Sequence, residues 1–458
     1  MKITVDLHAH SVFAGGTQAL KQSSEFIKEN RKKALKHLEV TNHMMPLKGI
    51  DIIGTGDCQY LPWTKILKDI LIEEKNGIFI IPDKNNTKFI LQSEVIFTAP
   101  IGNRSKIVHV LLLFPSFNSV DRFRDYLDSW NVKHEKMARP FIKCQSVNEV
   151  STKINSILDI DDLIEVIPAH IMTPQGIYGS DIRINMLKDF FGDVASRITI
   201  FETGLSADPE FLSLIPELDN RVLISCSDAH SGALHRMGRE FTIINLPNVT
   251  YPNIITSLRN NKIELTAEFP PEEGRFFLTG HRSGRKSPGK HGSKEYCYFS
   301  PQHVPPNDIC PICNKTLTIG VYQRCCEISK AQNANRNLGE FQIHNKFIRM
   351  VPLIDILSDI YKIKTKTAKR LISLYQKIIG IVGPESTLWQ QPISTLKDKL
   401  EDQIDEKLIN AIIQVKNGNF TFHPYGYDGT YGSLKIGQKG NYQDIKVIQS
   451  NTPIQTHL

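Results

Sequence analysis

Long apolar runs are missing from this 458-residue chain. None approaches the roughly 18 apolar residues that a membrane-spanning helix needs, so no membrane partner is expected. The N-terminus also lacks a basic region, an apolar core and a small-residue cleavage site. Lys2-Ile3-Thr4-Val5 leads straight into a strand-like run, and no signal peptide is read. A cytoplasmic, reducing location is therefore expected. There the eight cysteines serve as thiols or ligands rather than disulfides. No internal repeat is present. What remains has the composition of a globular protein, 40% hydrophobic and 22% charged. Its length suits two to four domains. The net charge of +7 fits a polyanionic partner without requiring one.

Short apolar runs recur through residues 1–266: Ile3–Leu7, Ile50–Ile53, Phe89–Phe97, Ile107–Phe114, Leu163–Ile167, Ile198–Phe201, Val222–Ser225 and Phe241–Ile244. Between them, "SSEFIKENRKKALKHLEV" and "NSVDRFRDYLDSW" have helical spacing. In the second, Ser119 is a candidate cap, and Val120, Phe123, Tyr126 and Leu127 form one face. Strands alternating with helices predict an α/β fold, with a parallel sheet or barrel. Residues 267–296 break the pattern, and the basic, Gly- and Ser-rich "HRSGRKSPGKHGSK" reads as an exposed linker. A cysteine-bearing module over 297–330, a helical region over 331–420 and a tail over 421–458 complete the division.

"DLHAH" places His8 and His10 on one face of a strand, where two imidazoles can chelate one ion. Alone, such a pair is weak evidence. The ends of the other strands change its weight. Asp57 follows the second run, and Glu94 and His109 lie in the third and fourth. His170, Glu202, Asp228 and His230 end later ones. In α/β folds the C-terminal sheet edge is where active sites are built. A surplus of ligands suits a cluster of ions, and metals about 3.5–4 Å apart are the usual device for phosphoester cleavage.

"DLHAHS", the later Glu and "SDAHS" resemble the PHP (polymerase and histidinol phosphatase) superfamily. That resemblance implies a distorted seven-stranded β/α barrel with up to three ions in its mouth. The chain is more closely similar to endonuclease Q. "GIDIIGTGD", "ETGLSADP", "SCSDAHSGALHRMGRE", "CPICNKTLTIGVYQR" and "GYDGTYG" resemble that family's blocks in its order, to about residue 435. Carried over position by position, the metal candidates are His8, His10, Asp57, Glu94, His109, His170, Asp228 and His230. Zn²⁺ and/or Mg²⁺ or Mn²⁺ are the expected ions. Glu94 is the bridging carboxylate, and Asp228 and His230 lie beside the reacting water. Two departures stand out. "SVFAGGT" offers no further ligand after the histidine pair. His43 of "TNH" follows no strand-like run and is read as helix surface.

"CPIC" gives Cys310 and Cys313 the spacing of a zinc knuckle. Cys297 is a third ligand, but Ser300 stands where a paired cysteine belongs. His303 or His291 can complete a structural Cys₃His zinc site, and His303 is preferred. Cys325 and Cys326 are adjacent and read as helix core. Gly204 and Ser206 are candidate DNA contacts, with Ser206 the N-cap of a helix start that attracts phosphate. Arg282, Arg285 and Lys286 are candidate phosphate contacts, sequence-independent and salt-dependent. The tyrosines of "PYGYDGTYG" either pack or stack on an unpaired base, with packing preferred.

By resemblance, the expected activity is lesion-specific DNA incision. The cut falls 5′ to a deaminated base (uracil, hypoxanthine, xanthine) or an abasic site and leaves 3′-hydroxyl and 5′-phosphate ends. The alternative is a small-molecule phosphatase of the histidinol-phosphate type, which has no use for the basic stretch, zinc module and helical extension. A non-catalytic DNA-binding protein has no need of eight clustered ligands. A monomer acting on damaged DNA is expected. A sliding clamp is a further candidate partner, although the terminal "QSNTPIQTHL" lacks the aromatic pair of a clamp-binding peptide.

Overall fold

The computed structural model describes residues 1–14, 24–82, 87–135, 137–340 and 346–450. Residues 15–17 of "SVFAGGT" and 451–458 of the terminal segment lie outside the described residues. Each of the eight apolar runs is a strand: Lys2–Asp6, Ile52–Gly54, Lys88–Ile101, Arg104–Phe114, Glu165–Pro168, Ile200–Glu202, Val222–Ile224 and Phe241–Asn245. They are rich in β-branched and aromatic residues, which pack well on a pleated surface. Val5, Ile52, Ile90, Leu111, Ile167, Ile200 and Ile224 meet in one buried core.

The pairing runs from strand to neighbouring strand around that core. Asp6 pairs Ile53 and Gly54 pairs Ile90, both in parallel. Glu94 pairs Leu111 and Leu112 pairs Val166, both antiparallel. Ile171 N donates to Glu202 O at 3.2 Å, and Ile200 pairs Val222 in parallel. A parallel bridge from Ala229 to Ala9, with His10 N donating to Ala229 O at 3.0 Å, returns to the first strand. The C-terminal ends of the parallel strands thereby share one edge, and the antiparallel Arg104–Phe114 brings His109 beside them from mid-strand, across from Glu94.

Several local expectations need correction. The first helix runs from Ser24 to Lys48, beyond the predicted end, and carries His43 exposed on its surface. Ser116, not Ser119, caps the helix Phe117–Ser129, its Oγ accepting from Ser119 N at 3.2 Å. Phe347–Arg349, which has helical spacing, is an edge strand parallel to Ile263–Glu268. Pro352 disfavours helix at the residue before it, and the helix starts at Leu353.

Residues 267–296 are not a linker. Thr279–His281 pairs antiparallel with Tyr296–Phe299, which pairs with Lys446–Gln449 near the C-terminus. Arg285 forms a partly buried ion pair with Asp428 and donates to Thr318 Oγ1 at 3.1 Å. The basic charge that suggested solvation is therefore partly neutralised inside the fold. The three-stranded sheet beside the cysteines thus takes in Thr279–His281 and Lys446–Gln449.

The helical region contains Leu353–Tyr361, Lys369–Val382, Glu385–Gln390, Ile393–Leu400 and Glu406–Lys416. It is pinned to the first helix by a buried pair, Lys48 Nζ to Glu385 Oε2 at 2.6 Å. Among the described residues, no helix is long and apolar enough to cross a membrane.

Candidate metal centres

The gap at the strand ends holds three overlapping groups of ligand atoms: His8, His10 and Glu94; His10, Asp228 and His230; and Glu94, His109 and His170. Within each group the ligand atoms lie within 4.8 Å of one another. Glu94 and His10 are each shared by two groups, the arrangement expected of bridged ions. Glu94 Oε1 faces His109 Nδ1 at 2.6 Å and His170 Nε2 at 3.2 Å, while its Oε2 faces His10 Nε2 at 3.4 Å. Asp228 Oδ1 lies 3.0 Å from His10 Nε2 and 3.3 Å from His230 Nε2.

Orphaned atoms test whether ions fit here. His8 Nε2, His10 Nδ1 and Nε2, and Asp228 Oδ1 are buried without a hydrogen bond. Unpaired buried polar atoms are costly, and His8 Nε2 and His10 Nε2 both approach Asp228 Oδ1, at 3.7 and 3.0 Å, an arrangement that suits cation ligands. Backbone geometry agrees. His170 and Asp228 have φ of 32° and 45°, in the left-handed region, and such strain persists where the surroundings over-determine it.

Carboxylates behind the ligands orient them. Glu202 accepts from His8 Nδ1 at 2.9 Å and from His170 N at 2.8 Å. A carboxylate cannot donate, so the His8 proton sits on Nδ1 and Nε2 faces the ions. The sequence had marked Glu202 as a strand-end carboxylate but not as a site residue. Asp57 joins none of the three groups, although its Oδ1 is also buried without a hydrogen bond. Its Oδ2 accepts from Ser11 N at 2.9 Å and Ser11 Oγ at 2.6 Å, and its Oδ1 stands 3.6 Å from His10 Nδ1. Asp57 follows a tight turn and has φ of 45°.

Charge is concentrated at the mouth. Burial disfavours the His8 and His10 cations, but Glu202 and Asp228 outweigh it at His8 and Asp228 and Asp57 at His10. Their pKa values rise to about 9 and about 10. Burial likewise opposes the charges of Glu94 and Asp228, yet the surrounding histidines hold both well below the ordinary carboxylate range. Arg139, which no sequence signal marked, donates to Glu94 Oε2 at 3.1 Å. It also lines a cavity of about 240 Å³ with Phe13, Ile96, Ile107, His109, Met137 and Phe141.

The second centre lies in the cysteine module. His281, His291, Cys310 and Cys313 bring four ligand atoms within 4.8 Å of one another. His291 Nε2 is 3.3 Å from Cys310 Sγ, and His281 Nδ1 is 3.4 Å from Cys313 Sγ. Each ring donates its other nitrogen to a backbone carbonyl: His281 to Thr316 O at 3.0 Å and His291 to Glu295 O at 3.1 Å. Those bonds leave the inward nitrogens free as ligands, the arrangement typical of metal-bound histidines. The preference for His303 is thus corrected. It pairs with Asp444 near the surface. Cys297 is also outside the group, its Sγ 3.6 Å from Cys310 Sγ. His281 was obscured by the basic stretch around it, and only the hairpin register, which sets it opposite Cys297, brings it in.

The DNA candidates divide. Gly204 has φ of 68°, and a Cβ there would lie 2.4 Å from His170 Cβ, so its glycine permits close packing behind a ligand. Asp208, not Ser206, caps the four-residue helix Pro209–Leu212, accepting from Phe211 N at 3.1 Å. Arg285 is held by Asp428, whereas the side chains of Arg282 and Lys286 are exposed. Cys325 is buried in the helix Val321–Ala331 with Cys326 beside it.

No protein-family profile matches the chain. A Methanocaldococcus jannaschii protein, MJ0043, is 27% identical over 240 residues, 51% of this chain. The Bacillus subtilis protein YqxK is 24% identical over 295 residues, 61% of this chain. The matched stretches span 28% of the first relative's length and 68% of the second's. Two crystal structures match nearly end to end. The lesion-specific endonuclease PfuEndoQ of Pyrococcus furiosus is 27% identical with a TM-score of 0.71, over 95% of this chain and 96% of that one. Endonuclease Q in complex with a 27-mer duplex substrate, with an abasic lesion at the active site, is 26% identical with a TM-score of 0.72, over 95% and 97%.

Proposed function

Because the chain belongs to the endonuclease Q family, we propose that it is a metal-dependent endonuclease that cuts DNA 5′ to damaged nucleotides. Its substrates are an abasic site or a deaminated base: uracil, hypoxanthine or xanthine. The observation that carries the reading is the set of three ligand groups sharing Glu94 and His10, with orphaned ligand atoms turned inward. The strands around them form a distorted seven-stranded PHP-type barrel, closed by the Ala9–Ala229 bridge.

His8, His10, Glu94, His109, His170, Asp228 and His230 hold the ions, which are Zn²⁺, Mg²⁺ or Mn²⁺. When bound, divalent ions supply a water nucleophile at neutral pH and charge for the leaving 3′ oxygen. Glu202 fixes the ring of His8, and Asp57 supports the turn that carries His10. Arg139 projects from Glu94 towards the adjoining cavity, where it can meet a phosphate oxygen beside the bond to be cut. The cavity's apolar walls receive the nucleotide turned out of the stack, a step least costly for weakly paired or missing bases. The products are a 3′-hydroxyl and a 5′-phosphate.

In the cysteine module, a structural Zn²⁺ is held by His281, His291, Cys310 and Cys313. The enzyme acts as a cytoplasmic monomer, and a sliding clamp is the candidate recruiter.

A labelled duplex with one deoxyuridine or one abasic site tests the reading, with Mg²⁺, Mn²⁺ or Zn²⁺ added. A single cut 5′ to the lesion, abolished by EDTA, is expected. No cut above the EDTA control, with phosphate released from a small ester, would replace the reading with a phosphatase.

A further inference from the structure

Tyr431 leaves 58% of its surface exposed. Its loop neighbours do not: Tyr425 and Tyr427 are each 5% exposed, and Tyr427 packs against Tyr298 with ring centroids 4.6 Å apart. The packing expected of this motif thus holds for two tyrosines and leaves a third facing solvent.

Two arginines reach its loop, and one of them lies over its ring. The Arg275 guanidinium lies 5.6 Å from the centre of the Tyr431 ring. Gly429, with φ of 86°, marks where the two side chains converge. A Cβ there would lie 3.2 Å from Arg282 Nη1 and 3.8 Å from Arg275 Nη2. The acid nearest in sequence, Asp428, is occupied by Arg285 and by the backbone N–H of Arg282 at 2.8 Å. Among the described residues, neither Arg275 nor Arg282 has a carboxylate partner. Two like charges directed at one point repel, and an anion between them relieves the repulsion. Guanidinium forks match a phosphate in both geometry and charge.

The loop adjoins the metal centre. Gly426 N donates to Glu272 O and Gly432 N to Glu273 O, each at 2.9 Å. A Cβ on Gly274 in that same turn would lie 3.5 Å from Leu205 O. Leu205 follows Gly204, which packs against His170.

We propose that the Tyr427–Gly432 loop holds the DNA strand opposite the cut. Arg275 and Arg282 grip one of its phosphates, and Tyr431 stacks on the base that has lost its partner at the lesion. Every base has a stackable face, so this contact suits any orphaned base. The proposal rests on the endonuclease reading and gives it a second strand to hold.

Binding is measured in EDTA, with two duplexes carrying an abasic site. In one, adenine stands opposite the lesion; in the other, a second abasic residue does. Wild type should bind the adenine duplex about tenfold more tightly. Tyr431→Ala should bind the two alike, and Tyr431→Phe should keep the preference, since only the ring is needed. The double variant Arg275→Ala/Arg282→Ala should lower the slope of log affinity against log salt by about 0.9, one phosphate's share. A preference that survives Tyr431→Ala overturns the stacking contact, and an unchanged slope overturns the phosphate contact. Failure of wild type to cut would instead overturn the endonuclease reading, because this binding cycle involves no cutting.

Discussion

His10 Nε2 lies 3.0 Å from Asp228 Oδ1, and both atoms are buried without a hydrogen bond. The two residues are more than two hundred positions apart, just beyond strands whose ends are joined by the Ala9–Ala229 bridge and by Ser227, whose N and Oγ donate to Asp6. Bridge and ligand pair therefore depend on each other. The fold brings Asp228-Ala229-His230 against His8-Ala9-His10, and a cation between them would satisfy atoms that are otherwise stranded.

Asp228→Asn removes a ligand charge while keeping nearly the same volume. Cutting of an abasic duplex should fall by at least about 100-fold, the upper end of what even outer-shell changes cost a metal site. DNA affinity measured in EDTA should change little. Full activity in the variant would refute the assignment of Asp228 to the ions.

The cysteine module offers a choice between two histidines. His281→Ala should lower zinc content by about one ion per chain and reduce thermal stability, because metal binding at such a site is folding free energy. His303→Ala should do neither, since its partner is Asp444. Elemental analysis of the purified proteins decides: zinc lost from the His303 variant and kept in the His281 variant would restore the Cys₃His arrangement.

That choice shows where sequence reading works. Eight strands were legible, and so was the gathering of seven of the eight barrel candidates in three clusters, because apolar runs and the acids and histidines in or after them are local signals. Asp57 also follows a strand, but it meets Ser11 and the Nδ1 side of His10 and joins none of the three clusters. His281 and Arg139 were illegible. One depends on hairpin register, and the other on a contact with Glu94 across 45 residues. Residues 267–296 looked like a linker because the acid that neutralises Arg285 lies 143 residues away.

Proton competition predicts how metal affinity varies with pH. His8 and His10 have pKa values raised to about 9 and about 10 without metal, so at pH 7 both carry protons that an ion must displace. Apparent metal affinity should rise from pH 6 to about pH 9 and level off above about pH 10. The metal-free protein should move the other way. A raised pKa contributes stability that is full below the unfolded value near 6.5 and lost as pH climbs through the folded value. Its melting temperature should fall between pH 6.5 and pH 10, more steeply than in the His8→Gln variant. Calorimetry of both forms in several buffers checks this. Metal binding without proton release at pH 7 would contradict it.

Glu385 ties the helical region to the barrel. Its two oxygens accept from Lys48 Nζ at 2.6 Å, Tyr375 Oη at 2.8 Å and Leu353 N at 2.7 Å, all in the interior. Replacing it with Ala would leave the Lys48 ammonium buried and unpaired, and breaking such a pair costs about 3–5 kcal/mol. Lys48→Met with Glu385→Leu should be far milder, because no uncompensated charge remains. Urea unfolding followed by circular dichroism would show the contrast. If the double variant were as unstable as Glu385→Ala, the lost hydrogen bonds to Tyr375 and Leu353, not the orphaned charge, would set the cost of separating the two regions.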